Sequence, residues 1–238
     1  MFEIRIHGRG GQGAVLASSI LAQAFVDEGK YVIAIPSFGF ERRGAPVSAC
    51  LRVDDREIRA LTNIYRPDCV ICIDPTLPRM VDIFAGLKPG GTLVQATART
   101  VRSEPVMAGE GTPSTPSLLP APQGVDGPPA RTMTVRHSSG GSVVPRRSAG
   151  PGAASVPPTV ETLGLCDAVG IALEIFGKPI TNSIMLGAFA RTTGMVSLNA
   201  LMDALEFGEF RDAGLAQNRR AMQRGYAETE VLAPEAVA

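Results

Sequence analysis

The sequence has few of the residues that mark several classes of protein. Among 238 residues there are no tryptophans, two histidines and four cysteines, and 23 basic residues balance 23 acidic ones. A neutral chain lacks the broad basic surface that nucleic-acid binding requires. No apolar run approaches the ~18 residues of a membrane span, no secretory signal opens the chain, and four scattered cysteines are not a disulfide framework. We expect a cytoplasmic protein with no nucleic-acid or membrane partner.

One segment has a different composition from the rest. Residues 102–158 hold 11 of the 19 prolines, 8 glycines and 8 serines, and lack Phe, Tyr, Ile and Lys. Such a segment cannot bury enough apolar surface to offset its ordering entropy, so we predict a disordered insertion. The segment is either a natural linker or an out-of-frame translation of GC-rich DNA, since the chain has 20 Arg against 3 Lys. Residues 1–101 and 159–228 then form one discontinuous α/β domain, with a flexible tail at 229–238.

Strand-like and helix-like patterns alternate along this domain. Strands are predicted at residues 2–6, 31–35, 47–53, 68–74 and 92–96, with a hairpin turn at Asp54-Asp55 and helices at 14–29 and 77–87. Four helical stretches follow the insertion, at 165–176, 183–192, 197–205 and 211–227. The alternation predicts a doubly wound, mostly parallel sheet with a Rossmann-like first βαβ unit and a helical C-terminal part.

A glycine-rich loop follows the first strand and opens the first helix. The loop fits G-x-G-x-x-G, whose bare backbone lets N–H groups at a helix N-terminus approach a phosphate. Its candidate cofactor-binding residues are Gly8, Gly10, Gly11, Gln12 and Gly13. A dinucleotide site also needs an acid at the end of the second strand, and that strand ends Ala34-Ile35-Pro36-Ser37 without one. The glycines could equally form a tight turn, bind another anion or meet a partner subunit.

A second loop combines charges with aromatic residues. Its candidate interface or active-site residues are Ser37, Phe38, Glu41, Arg42 and Arg43. Paired guanidiniums suit bidentate binding of a carboxylate or phosphate, and aromatic residues beside arginine are enriched at protein interfaces. We expect an interface role for this loop. Asp74, at the carboxyl end of a central strand, lies where open α/β sheets bind ligands, although it could also cap a turn.

The remaining reactive residues do not assemble into a catalytic or metal site. Cys69 and Cys72 have CxxC spacing, but in a strand they point to opposite faces and cannot share a cluster. Two histidines, His7 and His137, cannot complete a catalytic triad. We therefore predict no catalytic and no metal-ligating residue, and a chain that is inactive alone.

Several segments resemble the gamma subunit of 2-oxoacid:ferredoxin oxidoreductases, the pyruvate synthase family. They are HGRGGQG at residues 7–13, PSFGFERRGAPVSA at 36–49, CIDP at 72–75, LKPGGT at 87–92 and DAVGIALEIFGKPITNSIMLGAFARTTGMVSLNAL at 167–201. Together they span about 2–97 and 163–227, nearly everything outside the insertion.

The resemblance implies one subunit of an enzyme that oxidatively decarboxylates a 2-oxoacid, with pyruvate expected first. Such complexes use thiamine diphosphate, Mg²⁺, [4Fe–4S] clusters and coenzyme A, held mainly on alpha-, beta- and delta-type chains, and reduce ferredoxin. The loop at 37–43 would then face the thiamine-carrying subunits. The alternatives are a 2-oxoglutarate, branched-chain or indolepyruvate oxidoreductase, a free-standing dinucleotide-binding oxidoreductase, or a pure assembly module.

Overall fold

Seven strands form one mixed sheet in the part of the chain that the computed structural model describes, residues 1–36, 44–97, 160–207 and 214–233. The strands are β1 (Phe2–Arg9), β2 (Tyr31–Pro36), β3 (Pro46–Asp54), β4 (Cys69–Cys72), β5 (Gly91–Ala96), β6 (Val160–Cys166) and β7 (Glu230–Leu232). Their spatial order is β2-β3-β1-β4-β5-β6-β7. The predicted insertion at 102–158 lies outside the described residues.

The core of the sheet is parallel, as predicted. β1, β4, β5 and β6 pair in parallel, whereas β3 runs antiparallel to both β1 and β2, and β7 runs antiparallel to β6. β1 and β2 are joined by a helix and run in the same direction, but β3 lies between them. The first βαβ unit therefore differs from a dinucleotide-binding unit, in which the two strands are neighbours.

The hairpin predicted at Asp54-Asp55 is wrong. β3 instead pairs with the preceding strand β2, from Tyr31↔Asp54 to Pro36↔Ala49. Residues 56–58 form no strand. The side chains of β3 alternate between the two faces of the sheet: Leu51 and Val53 enter the main core, while Arg52 on the other face forms a buried ion pair with Glu3 of β1.

Five helices contribute buried side chains to the core on one face of the sheet. They are α1 (Ala14–Asp27), α2 (Ala168–Phe176), α3 (Asn182–Thr193), α4 (Leu198–Ala204) and α5 (Leu215–Glu228). Within the described residues, the other face carries a smaller core around Val70, Cys72 and Leu93. There the helix predicted at 77–87 is wrong: the structure has only a 3₁₀ turn, Leu77–Arg79, and Gly86 near the end of the predicted stretch adopts a left-handed φ of 76°.

Two further boundaries differ from the prediction. The stretch read as a helix from residue 165 begins as strand β6, and α2 starts only after Asp167, whose carboxylate accepts the Gly170 amide as an N-cap. A short apolar run does not distinguish a buried strand from a helix. At the other end, β7 adds to the sheet beyond the predicted domain boundary at residue 228.

α3 is the most deeply buried helix. Residues 181–190 are all buried, and α3 approaches α5 backbone to backbone. A Cβ on Gly187 would overlap the Met222 carbonyl oxygen, and one on Gly225 would overlap that of Ile184. The glycine pair therefore sets the separation of the two helices.

None of the helices in the described ranges combines the length and apolar character needed to cross a membrane.

Candidate functional site

The glycine loop lies at the carboxyl edge of the sheet, between β1 and α1. Gly8 is buried, and a Cβ there would come within 2.8 Å of Ile73 and 3.1 Å of Ala14. Gly11 and Gly13 adopt φ values of 92° and 78°, which L side chains rarely adopt. Each of these glycines therefore has a structural role, and ligand binding by the loop stays a prediction.

The backbone N–H and carbonyl of Gly10 are both hydrogen-bonded within the chain. Its N–H donates to the Ala45 carbonyl at 2.8 Å, and its carbonyl accepts the Gly44 N–H at 3.0 Å. In a dinucleotide site this second glycine lets the backbone approach the pyrophosphate. Here Gly44 and Ala45, which lie just before β3, bond to Gly10 instead.

Asp74 organises the edge of the sheet on which the loop rests. Its Oδ2 accepts hydrogen bonds from Arg9 Nε at 2.8 Å and from Gln12 Nε2 at 2.7 Å. Its Oδ1 accepts from the Thr76 amide at 2.7 Å and from Thr76 Oγ1 at 2.5 Å. Asp74 is only 5% exposed. It caps the turn after β4, one of the two roles expected from the sequence, and also holds the two long side chains of the glycine loop.

Arg9 and Gln12 complete this network. Gln12 bridges the loop, because its Oε1 accepts the Arg9 amide at 2.8 Å while its Nε2 donates to Asp74. The Arg9 guanidinium also donates to the Gly44 carbonyl at 3.2 Å and to Thr76 Oγ1 at 2.5 Å. One arginine therefore connects the glycine loop, the turn after β4 and Gly44, the first described residue after the 37–43 loop.

The network keeps Asp74 ionised. Burial by itself raises the pKa of the Asp74 carboxyl, but the hydrogen bonds from Thr76, Gln12 and Arg9 together outweigh it and leave that pKa below its ordinary value. A buried carboxylate with four donors is a fixed negative charge at neutral pH. It anchors the loop and is not a proton donor.

The N-terminus of α3 abuts the same edge. Thr181 Oγ1 donates to the Ile73 carbonyl at 2.7 Å, and a Cβ on Gly13 would lie 2.5 Å from Asn182 Nδ2. The starts of α1 and α3 therefore meet beside the end of β4. The sequence motif that contains Asn182 was noted for its resemblance, but its contact with the glycine loop was not predicted.

His7 does not act as an acid or base near neutral pH. Burial, followed by the nearby positive charge of Arg5, lowers its pKa to about 4. Its Nε2 is buried and has no hydrogen-bond partner among the described residues. His7 is therefore a neutral imidazole on the face of β1 opposite the helices.

The cysteines do not fit an iron–sulfur cluster. Cys69 lies in the main core and Cys72 in the smaller core on the other face, which confirms their predicted opposite orientation. Burial raises the pKa of the Cys72 and Cys166 thiols to about 11. Within the described ranges no three His, Cys, Asp or Glu side chains lie close enough together to hold a metal ion.

The second group of candidate residues cannot be placed. Ser37, Phe38, Glu41, Arg42 and Arg43 lie outside the described residues. What is described is the C-terminal end of their loop, Gly44 and Ala45, which is bonded to Gly10 and Arg9.

Comparison with known proteins identifies the family. The sequence model of the pyruvate ferredoxin/flavodoxin oxidoreductase family matches residues 3–228. This chain belongs to that family. Its relatives include the gamma subunit of NADH-dependent phenylglyoxylate dehydrogenase of Aromatoleum evansii, 52% identical over 97% of this chain and 95% of the relative. Another is the common gamma subunit of the pyruvate/ketoisovalerate oxidoreductases of Thermococcus kodakarensis, 40% identical over 97% and 98%.

A solved structure in this oxidoreductase family supports the same assignment. The pyruvate oxidoreductase subunit PORC of Thermotoga maritima superposes with a TM-score of 0.62 at 30% identity, covering 97% of both chains. The resemblance seen in the sequence segments is therefore confirmed, and so is the α/β fold. The chain belongs to a group of oxidoreductase subunits that act on 2-oxoacids.

The sequence did not reveal Arg9 and Thr76 as site residues. The register of β1 against β4, with His7 opposite Cys72, carries Arg9 to the level of Asp74 two residues further on. Because this pairing brings together residues 65 positions apart, no local pattern predicts it. A polar residue between the first two glycines of the loop is the only sequence signal.

Proposed function

We propose that this chain is the gamma subunit of a multi-subunit 2-oxoacid oxidoreductase that decarboxylates its substrate in the presence of coenzyme A. The observation that carries the proposal is the family match over residues 3–228, together with relatives of similar extent that are themselves gamma subunits. Its partners are the alpha-, beta- and delta-type chains, with ferredoxin or a nicotinamide cofactor as the electron acceptor of the complex. We expect the complex in the cytoplasm.

For the substrate, an aryl 2-oxoacid is the first candidate and pyruvate the second. The relative that is 52% identical acts on phenylglyoxylate, whereas the pyruvate/ketoisovalerate relative is 40% identical. The latter is a common subunit of two oxidoreductases, so one gamma chain serves two substrates there. This supports a gamma subunit that does not itself select the substrate.

The role of this chain is to shape and support the complex. Asp74, Arg9 and Gln12 form one hydrogen-bond network at the glycine loop, and Gly10 is bonded to Gly44 and Ala45, which follow the 37–43 loop in sequence. We propose that these two loops meet the partner chains near the active site. We further propose that the partner chains hold the thiamine diphosphate, Mg²⁺ and [4Fe–4S] clusters of the complex. For the clusters this is supported by the cysteines of this chain, which are buried and split between opposite faces of the sheet.

The experiment is a substrate panel on the complex purified through a tag on this chain. Phenylglyoxylate, indolepyruvate, pyruvate, 2-oxoisovalerate and 2-oxoglutarate are each supplied with coenzyme A, and reduction of ferredoxin and of NAD⁺ is followed. The proposal predicts coenzyme A-dependent reduction with at least one 2-oxoacid, and phenylglyoxylate as the best. A purified complex that oxidises none of them would contradict the proposal. A preference for pyruvate would reverse the order of substrates alone.

A further inference from the structure

The segment between β3 and β4 displays two large apolar side chains to solvent. Residues 55–68 contain no helix or strand. Leu61 is 77% exposed and Tyr65 is 74% exposed, more than the other large apolar side chains among the described residues. Single exposed apolar residues are ordinary on protein surfaces. What distinguishes this segment, residues 55–68, is that its backbone is fixed by hydrogen bonds and close packing.

A buried arginine forms hydrogen bonds to backbone carbonyls of the segment on its inner side. Arg52 is 3% exposed, and its Nε donates to Glu3 Oε1 at 2.9 Å. Its Nη1 donates to the carbonyls of Ala60 at 2.8 Å and Thr62 at 2.5 Å, and its Nη2 to that of Asn63 at 3.3 Å. Burying a charge is costly unless ion pairing and hydrogen bonds compensate. Here the compensation comes from backbone carbonyls on both sides of Leu61.

The other end of the segment is fixed by close backbone packing. A Cβ on Gly86 would overlap the Tyr65 carbonyl oxygen, so the two chain segments touch backbone to backbone. The Pro67 carbonyl accepts the Lys88 amide at 3.0 Å, and Ile64 beside Tyr65 is 6% exposed. Tyr65 therefore projects outward from a backbone that is held on its inner side.

The segment also carries positive charge that no carboxylate among the described residues neutralises. Arg56, Arg59 and Arg66 are exposed. Arg59 lies 3.7 Å from Glu57, whereas Arg56 and Arg66 form no ion pair with any described residue. Tyrosine and arginine are the residue types enriched at interface centres. A segment that exposes two large apolar side chains and two guanidiniums without ion-pair partners suits a surface with an apolar pocket and a carboxylate rim.

We propose that the segment at 55–68 is a docking site for another subunit of the same oxidoreductase, with Leu61 and Tyr65 as the anchors. The occupant is a partner chain whose apolar pocket is bordered by Asp or Glu side chains facing Arg56 and Arg66. The inference rests on the proposed function, since it takes the occupant from the complex to which the chain is assigned. Holding the segment in place before binding reduces the entropy lost on association.

The test compares the partner chains recovered through a tag on this chain. The double variant Leu61→Ser, Tyr65→Ser is expected to recover at least tenfold less of one partner chain, because both anchors leave the interface. Arg66→Glu is expected to weaken recovery by a smaller factor that shrinks as salt rises, because salt screens the charge attraction that this variant loses. The matched control is Leu173→Ser on α2, where an apolar side chain is 51% exposed in a different element, and it should recover partners like the wild type.

The outcomes separate this inference from the proposed function. Equal recovery by the double variant and the wild type would overturn the docking site and leave the proposed function intact. If the wild-type chain recovers no partner, both fail. Thermal unfolding of the purified double variant should match the wild type, because both side chains are exposed. Self-association of the wild-type chain in sedimentation, relieved by the double variant, would assign the surface to a second copy and overturn the proposed occupant.

Discussion

Replacing Asp74 should destabilise the edge of the sheet that carries the glycine loop. Asp74→Ala removes the acceptor of four hydrogen bonds, from Arg9, Gln12 and the backbone and side chain of Thr76. Breaking a fully buried ion pair costs about 3–5 kcal/mol. Because Arg9 retains 22% side-chain exposure, water can replace part of its lost bonding, and we expect about 2–3 kcal/mol.

Asp74→Asn provides the sharper version of this prediction. An amide has one acceptor oxygen, so whichever way it is turned two of the four donors face its NH₂ group. The isosteric variant should therefore lose about 1–2 kcal/mol, although it keeps the shape of the site. The matched control is Asp203→Asn on α4, an exposed acid, for which we expect no measurable change.

The pH dependence of the same variant tests the cause. Because the pKa of Asp74 is lowered in the folded protein, its ionised form stabilises the fold above the ordinary pKa of about 3.9, and that contribution is lost as pH falls through the lowered pKa. The difference in unfolding free energy between wild type and Asp74→Asn should be constant above about pH 5 and shrink below about pH 4. Denaturant titrations across this range measure it. A wild-type stability equal to that of Asp74→Asn at pH 7 would refute the reasoning.

Three further predictions concern the rest of the fold. Gly187→Ala should cost about 2 kcal/mol or more, because its Cβ forces α3 and α5 apart, whereas Gly214→Ala, whose Cβ meets only Gln217 at 3.9 Å, should cost far less in the same denaturation assay. All four cysteines are buried with raised thiol pKa values. Iodoacetamide at pH 8 should therefore label none of them in the native chain and all four after denaturation. Fast labelling of the native chain would contradict this burial. Deletion of 102–150 leaves thirteen residues between 97 and 160, which can reach about 43 Å. Since β5 and β6 are parallel, this linker must return along about one strand length, roughly 20 Å. The unfolding midpoint should therefore stay within a few degrees of wild type, and loss of folding would show that the segment is integral.

Local patterns predicted most of the elements. The alternation in β1 and the apolar run of β4 are clear because each strand's burial follows directly from its own residues. Only the end of the strand at 160–166 was read as the start of a helix, from Leu165, because a short apolar run fits both periods. The place of β3 between β1 and β2 depends on pairings across the sheet, such as that of Arg52 with Glu3, and no local pattern contains that information.

The candidate site was predicted in its location but not in its connections. The motif at residues 8–13 correctly placed the loop between a strand and a helix, and Asp74 was correctly placed at a strand end. That Arg9 and Gln12 both bond to Asp74 follows from strand register and side-chain reach. The hydrogen bonds between Gly10 and the backbone of residues 44–45 likewise depend on the antiparallel strand β3. The predicted Rossmann-like first βαβ unit did not include that strand between β1 and β2.

The most direct test of the account is to purify the native protein through a tag on this chain and identify what accompanies it. The account predicts co-purification of thiamine- and iron–sulfur-bearing chains, with coenzyme A-dependent oxidation of a 2-oxoacid by the assembly and none by the isolated chain. A homogeneous single chain that binds a dinucleotide would contradict it, and would give the glycine loop a direct role in the chemistry.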